Sequence, residues 1–220
     1  RYAQRITQVA SEFEDDLLVL RGFEAEVVPH DKYVDIMLEY RNRHPFDYMV
    51  GSVHYVDDIS IDSSKKEFED AMAGRGGLEP LAIKYYSLVS EMVHALKPEV
   101  VGHLDLLRKN AGPYGPVDTP AIREAAYDTL DSIAAHDCIL DLNTAGYRKG
   151  LGGPYLAPWI LEAVKEKGIG VCFGDDSHGP AEVGEGIEAA REYLLTNDIR
   201  HVTVLTRENH AVVRKTVPLE

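Results

Sequence analysis

The sequence predicts an α/β fold, a parallel sheet closed as a (β/α) barrel. Three observations carry that prediction. Short β-type apolar runs alternate with helix-type periodic segments, Pro or Gly punctuates the joins, and polar residues recur where successive strands end. Alternation of strand and helix implies parallel pairing, because a parallel neighbour is reached only through a crossover. An open dinucleotide-binding sheet would show a glycine-rich turn after its first strand. The dense glycine runs here, Gly74 to Gly77 and Gly150 to Gly153, follow no strand in that way. A barrel is the expected closure, as a single domain over residues 1–220.

Taken in order, the chain opens on an amphipathic helical pattern in which Ile6, Val9, Phe13 and Leu17 recur with no capping residue ahead of them. That uncapped start leads us to expect residues upstream of Arg1. Strands are expected over residues 17–24, 48–54, 100–104, 138–143, 170–174 and 202–206, where β-branched, aliphatic and aromatic residues concentrate. Helices are expected over 33–43, 81–96, 119–135, 158–167 and 182–197. Pro80 and Pro120 sit at early helical positions, where a missing N–H costs nothing, and Gly168 follows Lys165 and Lys167 as a C-terminal stop. Tyr85, Tyr86 and Trp159 read as core.

Composition narrows the function. With 220 residues, 45% hydrophobic and 27% charged, the chain can bury a substantial core without staples. A net charge of −14 repels phosphate backbones and anionic lipid heads, which argues against nucleic-acid and membrane partners. An anionic small substrate stays open if metal ions or a local Arg/Lys cluster reverse the sign inside a cleft. Cys138 and Cys172 lack CxxC spacing and lie in apolar runs, so they read as buried reduced thiols of a cytoplasmic protein. No stretch approaches the roughly 18 to 20 apolar residues that span a bilayer, and the N-terminus is no signal peptide.

The chemistry-bearing residues gather at predicted strand ends: Glu24 after VLRGF, His54 after MVGSV, His103 after EVVG, Asn143 after ILDL, and Asp176 with His178 after GVCFGD. In a (β/α) barrel those ends converge on one axis. One Glu, two His and an Asp-x-His pair form a ligand set for Zn, Fe or Mn, and metal-assisted hydrolysis follows from it. Residues i and i+2 of an extended segment face one side, which should bring Asp176 and His178 to one cluster and set Glu24 and Glu26 on one face. Glu26 reads as a supporting or surface carboxylate, and Asp175 as a turn residue. Arg108-Lys109 and Arg148-Lys149 are candidate phosphate sites, with solvated surface charge as the alternative. Arg148 is preferred, since its loop leaves the strand-end face and Arg grips phosphate oxygens bidentately. Lys109 and Asn143 are the further substrate-binding candidates. His30, His44, His94, His136, His201 and His210 read as surface or packing residues.

The segments GFEAEV, FDYMVGSVHYV, VVGHLDLLRK, LDLNTAG and GDDSHGPAEVG resemble the polymerase-and-histidinol-phosphatase (PHP) superfamily, most closely its histidinol-phosphatase branch. The resemblance implies a distorted seven-stranded (β/α) barrel with a trinuclear centre of Zn, Fe or Mn. By that resemblance Glu24 bridges two metals, His54, His103, Asp176 and His178 ligate, and Arg148 faces a phosphate. It implies L-histidinol phosphate as the substrate; another small phosphoester or a nucleotide, and a metal-free scaffold role, stay open. Family members open with strands ending in His-x-His and Asp-His, motifs found nowhere in these 220 residues. The expectation is therefore a barrel lacking its first strands in this chain.

Overall fold

The computed structural model describes residues 1–209 and 211–220; His210 lies outside them. The chain begins with helix α1 (Tyr2–Glu12), strand β1 (Gly22–Glu26), helix α2 (Tyr33–Arg43) and strand β2 (Tyr48–Ser52). A small hairpin, β3 (Tyr55–Val56) and β4 (Ile59–Ser60), leads to helices α3 (Lys65–Arg75) and α4 (Leu78–Leu96) and strand β5 (Val100–Val101). Then come α5 (Arg108–Ala111), α6 (Pro120–Ala135), β6 (Ile139–Asn143), α7 (Ala145–Arg148), α8 (Pro158–Lys167) and β7 (Val171–Gly174). Helix α9 (Ile187–Thr196) and a long hairpin, β8 (His201–Glu208) and β9 (Ala211–Pro218), close the chain.

The central sheet is parallel throughout, in the order β1-β2-β5-β6-β7. Each strand pairs with the next through a right-sized helical crossover, as the alternation of patterns requires. One sheet face is covered by helices, with Leu81, Leu88 and Met92 of α4 and Ile122, Leu130 and Ile133 of α6 fully buried. Burial of each such side chain is worth about 1.5–3 kcal/mol, so this layer carries much of the stability. Thr119 caps α6 ahead of Pro120, and Gly168 ends α8 at φ +67, both where the local chemistry places them.

The other face curves round a cavity of about 600 Å³. Alternate residues of the strands line it, among them Tyr48, Val50, Asp141 and Cys172, and Leu18, Leu20, Val204 and Leu205 complete the wall. Strand β8 reaches from β7 to the start of β2: its Thr203 lies over Gly170 just before β7, and its Arg207 bonds Asp47, just before β2, at 2.5 Å. Asp47 also receives the Arg21 fork at 2.9 and 3.0 Å. Among the described residues no helix is long and apolar enough to cross a membrane.

Several boundaries differ from the sequence expectation. Residues 17–21 are not strand, and Leu17 and Leu18 are exposed, because β2 begins only at Tyr48 and offers them no partner. Glu24 is consequently mid-strand, opposite Val50. Strand β5 keeps only two of its five expected residues. The run 202–206 joins no parallel sheet; it pairs antiparallel with β9, which the apolar pattern alone did not reveal. The last helix starts at Ile187 rather than 182, since Gly184 and Gly186 adopt φ +76 and +79.

Candidate metal centre

Glu24 of β1, His54 just beyond β2 and His103 just beyond β5 come together at one end of the sheet, their ligand atoms all within 4.8 Å of one another. The three strands are adjacent, so Glu24 from within β1 meets the two histidines that follow the ends of β2 and β5. His54 Nε2 stands 3.2 Å from His103 Nε2, and Glu24 Oε1 stands 3.4 Å from His103 Nε2 and 3.9 Å from His54 Nε2. Two donors about 2.05 Å from a tetrahedral ion are about 3.3 Å apart. A triangle of two imidazole nitrogens and a carboxylate oxygen with these edges fits one divalent transition-metal ion.

Glu26, one pleat beyond Glu24, orients the site. Its Oε2 lies 2.5 Å from His54 Nδ1, while Oε1 accepts the backbone N–H groups of Val27 at 2.7 Å and His54 at 3.1 Å. A carboxylate behind a ligating histidine fixes its tautomer and turns the other nitrogen towards the metal. The charges reinforce one another. Burial pulls the His54 imidazole down, yet the Glu26 hydrogen bond and the charges of Glu26, Glu24 and Asp62 push it up to about 9. Burial raises Glu24, but His103, Ser52 and His54 lower it to about 2.

Asp176 lines the same cavity as Glu24 and His103. His178 does not join the cluster: its side chain is 77% exposed, with Nδ1 2.9 Å from the Asp176 carbonyl. The i, i+2 expectation presumed an extended segment, and Asp176 instead adopts φ +49, which breaks the alternation. Asp175 is the turn residue, accepting the N–H groups of Ser177 at 3.2 Å and Gly184 at 2.6 Å.

Arg148 reaches the same loop. Its Nη2 donates to the carbonyls of Asp175 at 2.5 Å and Asp176 at 3.1 Å, and Glu182 and Glu185 stand 3.7 and 3.6 Å away. Its buried Nη1 makes no hydrogen bond, nor does the buried Ser177 Oγ. Lys109 lies 3.3 Å from Asp62. Asn143 is buried and its amide is spent inside the fold: Nδ2 donates to Asp141 at 2.7 Å and Oδ1 accepts from Ala145 N–H at 2.9 Å. That leaves it as a scaffold for Asp141 rather than a side chain presented to a substrate.

Two residues outside the sequence candidates also shape the site. Asp105, 2% exposed, accepts from Leu156 and Ala157 N–H at 2.7 and 2.8 Å and from Arg108 at 2.9 Å, pinning the loop after α7 beside His103. Burial raises the Asp141 carboxyl to about 6 against the pull of Asn143 and His103. Both are polar residues inside apolar runs, and that is the signal that could have marked them.

Comparison with known proteins places the fold in a family. The model of the PHP domain matches residues 2–145. The protein named probable histidinol-phosphatase of Deinococcus radiodurans is 35% identical over 184 residues, covering 83% of this chain and 66% of that protein. A Listeria monocytogenes structure assigned as a histidinol phosphatase superposes with a TM-score of 0.76 at 28% identity, covering 86% of this chain and 74% of that one. The Lactococcus lactis histidinol phosphate phosphatase, solved with Zn, L-histidinol and phosphate, shares the fold with a TM-score of 0.70 at 20% identity, covering 96% of this chain and 78% of that one. The chain spans about two thirds of the length of the curated relatives it matches, 64% and 66% for two of them.

Proposed function

The chain belongs to the PHP domain family, and from that premise we propose that its Glu24, His54 and His103 serve a metal-dependent phosphomonoester hydrolase acting on L-histidinol phosphate. The observation that carries the reading is the triangle of two imidazole nitrogens and one carboxylate oxygen at 3.2, 3.4 and 3.9 Å. A relative with the same fold holds Zn, L-histidinol and phosphate, which supports the choice of substrate and metal class. Bound divalent ions supply Lewis acidity and a hydroxide available near neutral pH.

The chain's own residues do the rest. Glu24, His54 and His103 present the ligand atoms, and Glu26 holds His54 with Nε2 facing inward. A centre of three Zn, Fe or Mn ions would draw further on Asp176 from the cavity wall and on the exposed His178. Arg148 Nη1 and Ser177 Oγ, buried and without a hydrogen bond, serve as donors to the phosphoryl oxygens, Nη1 turning from Glu185 at 3.6 Å. Their charge and dipole are fixed before the reaction, which favours the charge that develops as the ester breaks. Lys109 adds positive charge from α5, tempered by Asp62.

Phosphate release from L-histidinol phosphate by the protein loaded with zinc or manganese tests this. We expect turnover that chelator abolishes and that His103→Ala reduces at least a hundredfold without unfolding the chain. Full activity in His103→Ala, or hydrolysis indifferent to chelator, would overturn the assignment.

A further inference from the structure

We propose that Asp141 is the positioning carboxylate of His103, its free Oδ1 taking the ring Nδ1–H when metal binds at Nε2. The inference rests on the metal centre proposed above and adds to it a residue from a fourth strand. His54 already has such a partner in Glu26; His103 has none of its own. Its Nδ1 is buried and makes no hydrogen bond to the protein, in a residue only 4% exposed. Buried polar atoms in native folds almost always have a partner, protein or water.

Asp141 is the complementary orphan. Its Oδ1 is also buried and unpartnered, whereas Oδ2 accepts from Asn143 Nδ2 at 2.7 Å. Asn143 is fixed in turn by Ala145 N–H at 2.9 Å, so the carboxylate is held with one oxygen taken and the other free. Both His103 and Asp141 line the 600 Å³ cavity, and the His103 main-chain N–H lies against the Asp141 carboxylate. The neighbouring strand makes room for this oxygen. A Cβ at Gly174 would stand 2.2 Å from Asp141 Oδ1, so only glycine there leaves the carboxylate in place. An acceptor at Nδ1 keeps the proton on that nitrogen and leaves Nε2, 3.4 Å from Glu24, as the metal-binding atom.

Asp141→Asn tests the polarity of the contact. Asn143 needs an oxygen facing it, so the new amide must turn its NH₂ to the position of Oδ1 and oppose the His103 N–H with a second donor. Zinc affinity measured by chelator competition should fall ten- to a hundredfold. The slowly exchanging His103 Nδ1–H resonance of the zinc-loaded wild type should vanish, with the thermal midpoint little changed. Gly174→Ala, which displaces the carboxylate without removing it, should act in the same direction and decides the matter if Asp141→Asn does not fold. Wild-type zinc affinity with an unchanged ring resonance in either folded variant would overturn the role of Asp141. A wild-type chain that takes up no zinc would instead sink the metal centre itself.

Discussion

Glu26→Gln on the zinc-free protein isolates the electrostatic core of the site. His54 is raised from 6.5 to about 9, with the Glu26 hydrogen bond as the largest favourable cause. A folded-state value above the unfolded one contributes stability that is complete below the unfolded pKa and is lost as pH rises through the folded one. The window therefore runs from about 6.5 to about 9. At 1.36 kcal/mol per unit, a gap of this size corresponds to about 3 kcal/mol between pH 6 and pH 9.5. The side chain of His54 is 21% exposed, so solvent screening takes little from that figure. Urea unfolding of wild type and Glu26→Gln, both with chelator, reads it: the wild type should lose more than the variant across this range, by up to about 3 kcal/mol, because Glu24 and Asp62 still act on His54 in the variant. Taking the difference cancels the groups that titrate alike in both. Parallel pH profiles, or an NMR titration placing His54 near 6.5 in the wild type, would refute the reasoning.

The same proton governs metal uptake: zinc must displace it from His54, so affinity should rise about tenfold per pH unit between 7 and 8.5, and a flat chelator-competition profile would contradict this. Asp105→Ala strands the N–H groups of Leu156 and Ala157 and the Arg108 guanidinium. A loss of about 3 kcal/mol in urea unfolding is expected, and less than 1 kcal/mol would show that the loop has other anchors. Gly146→Ala drives a Cβ to 2.4 Å from the Gly153 carbonyl, backbone that cannot yield cheaply, and should cost about 1–3 kcal/mol by the same measurement. Arg148→Ala should raise the KM for the phosphoester more than tenfold while kcat falls less; an unchanged KM would confine Arg148 to holding the carbonyls of Asp175 and Asp176.

What could be read in the residues was the order of elements. Apolar runs separated by helix-period segments were enough to place β1, β2, β5, β6 and β7 in sequential parallel pairing, because burial on both faces leaves a compositional mark that does not depend on partners. Strand limits did depend on them. Leu17 and Leu18 look like strand residues but meet no partner strand, and the run 202–206 is equally apolar whether it pairs parallel or antiparallel. The gathering of Glu24, His54 and His103 was legible because β1, β2 and β5 are neighbours. His178 stands outside that group because one residue, Asp176, adopts a left-handed backbone that no alternation rule anticipates. Asn143 was read as facing substrate because its position is right, while its hydrogen bonds, visible only in three dimensions, commit it to Asp141.

The arrangement around the two histidines explains why acidic residues outnumber ligands at this end of the sheet. An imidazole brought close to another imidazole is repelled if both are charged, and the 3.2 Å separation of His54 and His103 is tolerable only if carboxylates share the space. Glu24 stands within 3.4 and 3.9 Å of the two rings, and Glu26 stands behind His54. Asp141 waits behind His103 on the neighbouring strand. Without metal the proton on His54 supplies part of the cation's positive charge beside Glu24 and Glu26 and keeps the carboxylates from repelling one another.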